Sequence, residues 1–386
     1  MKVKQDPGDF RVEEVSALVP GNEGPFTLYR LEKSGIGTLE AVGVLARAWR
    51  LRGQAVAFAG LKDKYGVTAQ TISVRGGPTR NFEGRGVRAN YLGRSPRPVA
   101  RGMLLGNQFR IVLRHLKPAQ AALVEERARA AAVHGFPDYY DDQRFGSMRG
   151  EGGGLVARAL LHGKEEAALR MAIASPARED RSRLKRRRRL LHDRWGAWGE
   201  LAQALERSIE QRICLALAEG ATFAEAYSML DQGLRSLYLS AYQAFLFNEG
   251  LRRAVGSGPT HPGVAGPYVF HEQDPGALKE ERIPLASSHA ESHPLLDPLL
   301  QADGVDRAAL GRLRFRRGIR AAIVVPEGLE SGAIDEDECN PGRVKIPLSF
   351  RLKPGSYATM LVKRCTFDFR SPGGGLRADR DSAASS

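Results

Sequence analysis

Ala59-Gly60-Leu61-Lys62-Asp63-Lys64-Tyr65-Gly66-Val67-Thr68-Ala69-Gln70 is the stretch that decides the reading of this chain. The apolar run Ala55 to Ala59 predicts a short strand, and Gly60 ends it. Glycine frees the backbone to turn, and a loop at a strand end can hold a side chain rigidly at a cleft. A carboxylate, Asp63, then stands between Lys62 and Lys64. Flanking cations favour the ionised form, which a nucleophile or a base requires. Taken alone, an aspartate in such a turn more often caps its own backbone.

Working outward, partial alternation predicts strands over 10–17 and 26–31, with others at 71–74 and 103–114. Thr38 can cap a helix to about Arg52, with Leu39, Val42, Leu45, Ala46 and Trp49 on one face. An Ala-rich helix is expected over 118–133. Beyond Gly146 helical signals dominate to about Leu313, including a long helix from Ser236, and a Gly/Pro/His-rich stretch over 256–294 interrupts them. Strand signals return at 321–325 and 346–352, followed by a helical segment from Gly355 to Lys363. The order strand-rich, helix-rich, strand-rich predicts an α+β chain in which the middle is inserted into a domain closed by its two ends. The Gly-, Ser- and charge-rich tail 371–386 reads as disordered.

The chain has 386 residues and is 42% hydrophobic, enough for two folded domains. No apolar run approaches the roughly 18 to 20 residues of a membrane span, and no signal segment is apparent. Three scattered cysteines, Cys214, Cys339 and Cys365, form no metal or disulfide pattern, which favours a cytoplasmic setting. The net charge of +14 points to a polyanionic partner. Codon bias would explain arginine over lysine, but not 58 bases against 44 acids.

Several segments beside the opening stretch share one resemblance. They are Lys4-x-x-Pro7-x-Asp9-Phe10-x-Val12-x-Glu14, Gln143-Arg144-Phe145-Gly146, Leu237-Tyr238-Leu239-Ser240-Ala241-Tyr242-Gln243-x-x-Leu246-Phe247-Asn248, and Gly355-Ser356-Tyr357-Ala358-Thr359. With Ala59-Gly60-x-Lys62-Asp63-x-x-x-x-Thr68-x-Gln70 they resemble, in order, the motifs of the TruD family of tRNA pseudouridine synthases. The resemblance implies a catalytic domain with a mixed, mainly antiparallel sheet, formed by 1–154 and 316–370 and interrupted by a helix-rich domain at 155–315. It implies isomerisation of a flipped-out uridine, usually uridine 13 of tRNA, with no cofactor, metal or obligate protein partner. It makes Asp63 the catalytic aspartate, with Lys4 beside it, and Phe10, Glu14 and Lys62 around the same pocket. Tyr357 falls where the family places an aromatic against the base, and Arg144 is expected to meet Asp63 or an RNA phosphate, or to form a structural salt bridge.

The chain departs from the family in its third motif, usually Asn-Tyr-Phe-Gly-x-Gln-Arg-Phe-Gly and here Asp138-Tyr139-Tyr140-Asp141-Asp142-Gln143-Arg144-Phe145-Gly146. The asparagine that contacts the uracil edge becomes Asp138, which when ionised only accepts hydrogen bonds. Phe becomes Tyr140. Gly becomes Asp141, costly if the turn needs positive φ. Gly66 stands where the family often has Ala, a minor change by sequence alone. These departures support a second reading, a catalytically inactive RNA-binding protein or tRNA-folding chaperone.

Arg181, Arg183, Lys185, Arg186, Arg187, Arg188 and Arg189 crowd nine residues. On a helix their like charges repel unless neutralised, so RNA phosphate is expected along Arg183 and 185–189, as a positioning contact that reads no sequence. His289 and His293 share a helical ligand spacing, but Pro294 and the broken surroundings favour a polar loop over a metal site.

Overall fold

The computed structural model describes residues 1–51, 55–148, 154–176, 180 and 182–369. Arg181 and the tail at 371–386 lie outside them. The chain divides into two compact units, Met1–Phe136 with the chain from Val324 onward, and Pro137–Ile323. These units meet in the chain at 136/137 and 323/324, whereas the sequence reading places its boundaries at 154/155 and 315/316. The third-motif segment 138–146 groups with the helix-rich unit.

The first unit is built on one sheet. Its strands are β1 (Lys2–Val3), β2 (Phe10–Ser16), β3 (Phe26–Ser34), β4 (Val56–Phe58), β5 (Val67–Arg75), β6 (Phe82–Gly84), β7 (Val87–Ser95), β8 (Leu104–Leu116), β9 (Glu327–Ser331), β10 (Asp335–Glu336) and β11 (Val344–Leu352). The order is β9-β11-β8-β2-β5-β3-β7-β6, with β1 on β8, β10 on β11 and β4 on β5. Within this sheet, among the described residues, β2 and β5 form the one parallel pair. Strand alternation sets one face inward: Phe10, Val12 and Glu14 on β2 are buried, while Arg11 and Glu13 are exposed. Phe109 of β8 stacks on Phe350 of β11 at 5.3 Å between centroids.

The helix Thr38–Ala48 packs on this sheet, but its inner face is offset from the one expected. Ala41, Val44 and Leu45 pack on Tyr29, Leu31, Ile72 and Val74, whereas Leu39 is exposed. Gly37, not Thr38, is the N-cap. Thr38 has turned inward because its hydroxyl accepts a hydrogen bond from the Lys62 N–H at 2.9 Å. At the other end of the chain, the helix Ala358–Cys365 packs on Pro118–His134.

The second unit is helical and has two apolar clusters, one around Leu169, Leu191, Leu201 and Ile213, the other around Tyr242, Leu246, Leu299 and Leu310. Its longest helix, Gln232–Val255, is capped by Asp231 accepting from the Leu234 N–H at 3.1 Å. Within this helix Gln243 is buried, and its amide donates to the carbonyls of Ala286 at 2.7 Å and Arg316 at 2.8 Å. That motif residue thus ties two loops to the helix.

Candidate active site

The loop between β4 and β5 carries Asp63, and its main chain is gripped at three points. Gln70 donates to the Gly60 carbonyl at 3.1 Å, Thr38 accepts from the Lys62 N–H, and the Lys33 ammonium donates to the Asp63 carbonyl. The Asp63 carboxylate also accepts from the Tyr65 N–H at 3.1 Å, so the turn-capping role of an aspartate is realised beside any chemical one.

The cations around Asp63 are not all the ones the sequence suggested. Its ion-pair partner is Lys4. Lys62 is turned away, donating to Asn107 at 2.7 Å and pairing with Glu14 at 3.0 Å, with Glu14 almost wholly buried. Lys64 reaches Glu40 on the surface, at 3.9 Å. Lys4 has a left-handed backbone, φ 62°, which costs a non-glycine residue and marks a position held by its surroundings. Its ammonium lies 4.0 Å from the centroid of the Phe10 ring. The structure thus brings Lys4, Phe10 and Asp63 together in one group and Lys62 with Glu14 in a second ion pair.

Asp9 explains another motif position. Arg114 of β8 donates to its carboxylate at 2.8 Å, and the other oxygen accepts from the Asp6 N–H at 2.8 Å. This pins the segment that leads from Lys4 into β2. Tyr357 follows β11, whose end pairs Leu352 with Asn107, and Asn107 in turn pairs with Glu14. The register thus sets the end of β11, five residues before Tyr357, in one row with Asn107 and Glu14.

Gly66 closes the loop, and here the structure corrects the idea of a minor change. Its φ is 155°, and a Cβ would meet the Phe10 carbonyl oxygen at 2.5 Å. Gly66→Ala should push the loop from Phe10 and slow the reaction by roughly 100-fold, since a displacement of about 1 Å costs that much. Single-turnover kinetics beside a melting curve check this. A wild-type rate would show that the loop accommodates the methyl.

Asp138, Tyr140 and Arg144 form a second group, in the helical unit. Asp138 is buried and paired with Arg320 at 2.8 Å, and Arg320 also donates to the Asp138 carbonyl at 2.7 Å. Arg320 lies 4.2 Å from the Tyr140 ring centroid, and Arg144 5.4 Å. Asn248, from the long helix, accepts from the Tyr140 N–H and donates to its carbonyl, both at 2.8 Å. Asp141 has φ −79° and accepts from the Asp142 N–H. No positive φ is needed, so aspartate brings no backbone strain there.

A family profile described as tRNA pseudouridine synthase D (TruD) matches residues 1–296. The chain belongs to the TruD family. The tRNA pseudouridine synthase D of Geobacter sulfurreducens is 30% identical, over 96% of this chain and 94% of that protein. The one from Aquifex aeolicus is 27% identical, over 94% of this chain and 97% of its own length. The crystal structure of the TruD protein of Methanosarcina mazei has the same fold, with a TM-score of 0.71 at 24% identity over 94% of this chain and 92% of that one. This TruD chain is accordingly a pseudouridine synthase, an isomerase acting in RNA modification. No helix among the described residues is long and apolar enough to cross a membrane.

Three residues had no place in the motif reading: Lys33, which holds the Asp63 carbonyl, Asn107, which holds Lys62, and Arg114, which holds Asp9. Lys33 and Asn107 were detectable. Each continues the inward alternation of its strand, after Tyr29 and Leu31 on β3 and before Phe109 and Ile111 on β8. A charged or amide side chain in an inward register is a site signal of its own.

Proposed function

We propose that this TruD chain converts uridine 13 of tRNA to pseudouridine and that Asp63 is its catalytic group. The observation that carries the proposal is a carboxylate ion-paired with Lys4 on a loop fixed through its main chain. In the reaction the C1′–N1 bond breaks, the uracil turns, and a C1′–C5 bond forms. C5 gives up its proton and N1 gains one, so the atoms balance with no external reactant. A carboxylate serves by attacking the sugar or the base, or by taking a proton at the sugar. Lys4 holds that carboxylate in place. A base within folded RNA must be flipped out to meet it, and Phe10, Glu14, Lys62 and Tyr357 are the proposed substrate contacts beside it. Asp138, Tyr140 and Arg144 are proposed as further contacts to the RNA substrate.

Position 13 is tested with unmodified transcripts. The wild-type protein should modify a transcript with uridine at 13 and leave one with cytidine there unmodified. Equal product from both would overturn the assignment.

The basic helix Ser182–Asp193 is proposed to touch tRNA phosphate, with a narrower contact set than its sequence suggests. Arg183 is paired with Glu206, Arg187 with Glu210 at 3.0 Å and Arg188 with Asp180 at 2.8 Å. Lys185, Arg186 and Arg189 are exposed and have no carboxylate partner among the described residues. Replacing these three by Gln should weaken tRNA binding and flatten the salt dependence of log K by about 2 to 3. An unchanged salt slope would remove the helix from the interface.

A further inference from the structure

We propose that Lys33 is a positioning residue of the catalytic loop: its buried ammonium joins the Asp63 carbonyl to the Ile36 carbonyl and so fixes where the Asp63 carboxylate points. The inference rests on the reading of Asp63 as the catalytic group.

Lys33 is 2% exposed, at the end of β3. Its Nζ donates to Ile36 O at 2.9 Å and to Asp63 O. No carboxylate pairs with it among the described residues, since Lys4 occupies Asp63 and Lys62 occupies Glu14. A buried ammonium held only by carbonyl dipoles is an expensive way to brace a loop. Burial pushes the Lys33 ammonium down to about 8, against the opposing pull of the Asp63 charge and with a smaller downward push from Lys62. The fold therefore carries a cost at Lys33 that an apolar side chain of the same length would avoid.

The return is positional. Thr38 and Gln70 grip the loop through neutral groups, upstream at Lys62 and Gly60. Among the described residues Lys33 is the one whose ammonium grips the Asp63 carbonyl, and a charge-assisted hydrogen bond is about twice as strong as a neutral one. The carbonyl it holds shares a Cα with the reacting carboxylate. Loosening it turns the carboxylate without touching the tRNA surface.

This sets stability against rate, which a merely structural lysine would not do. Lys33→Met keeps the length and removes both donors and charge. At neutral pH its melting temperature should equal or exceed that of the wild type. Its single-turnover rate on unmodified tRNA should fall about 100-fold, with tRNA affinity within threefold. Lys33→Gln restores an N–H donor without charge and should recover part of the lost rate. An unchanged Lys33→Met rate, a lower melting temperature, weakened tRNA binding, or equal rates for the two variants would each overturn the proposal. Asp63→Ala in the same assay separates the two levels. If it stays active, the reading of Asp63 fails; if it is inactive while Lys33→Met matches wild type, only the role of Lys33 fails.

Discussion

Asp63→Asn should lose pseudouridine formation by roughly 10⁴-fold or more, the scale seen when an enzyme's central reacting group is removed. Asparagine is the right probe because so much of the loop survives it. The amide oxygen can still accept from the Tyr65 N–H, and the grips of Gln70, Thr38 and Lys33 all fall on main-chain atoms. What disappears is the negative charge and with it the ion pair to Lys4. Both residues are partly exposed, at 19% and 29%, so losing the pair should cost little stability. Melting temperature and tRNA affinity should therefore stay close to wild type while the single-turnover rate collapses. A variant that keeps more than about a tenth of the rate would place the chemistry elsewhere.

The second large effect is on stability and centres on Arg114. Its guanidinium serves Asp9 at 2.8 Å, Asp337 at 2.9 Å and Glu338 at 3.0 Å, and the first two carboxylates are buried. Arg114→Leu leaves both buried acids without their shared cation. Breaking a buried pair in this way costs about 3 to 5 kcal/mol, or a melting point lower by roughly 10 °C for a unit of this size. The pH dependence has a definite sign. Burial alone would push Asp337 up, but hydrogen bonds from His115, Asn340, Arg114 and Cys339 outweigh it and hold its carboxyl below the usual range. Glu338, bonded to Arg114 and Lys345, is lowered to about 2. Folded-state values below the unfolded ones give stability that is complete above about pH 4.5 and drains away as pH falls toward 2. Arg114→Leu should flatten that acid limb. Because Asp9 also anchors the segment that carries Lys4, activity at pH 7 should fall as well. Melting curves from pH 3 to 7 decide it, and an unchanged acid limb would show that Arg114 does not govern these acids.

The sequence made the Asp63 loop legible because its constraints are local. Gly60, Asp63, Thr68 and Gln70 sit within one strand-loop-strand unit, so the motif that carries the family resemblance is contiguous in the sequence. The face of β2 was legible for the same reason, since Phe10, Val12 and Glu14 alternate. Other features depend on contacts distant in sequence. Whether Lys62 faces Asp63 or Glu14 depends on the register of β2 against β8, which sets Glu14 beside Asn107. Strand β7, Val87–Ser95, has little apolar pattern of its own and is held by pairing with β3. The segment after Phe136 reads as a continuation of the first domain, yet Asn248, Tyr268 and Arg320 bind it within the second unit. Those partners lie more than a hundred residues away, beyond any local pattern. The same holds for Asp138. Its replacement of asparagine looks like a lost donor until Arg320 is found on its carboxylate.

The most direct measurement is a nucleotide-resolution map of pseudouridine in unmodified tRNA incubated with the purified wild-type protein, with no cofactor added. Conversion of a single uridine, at position 13, is the result expected of Asp63 chemistry on a flipped base. A folded protein that binds the tRNA and leaves every uridine unchanged would contradict it.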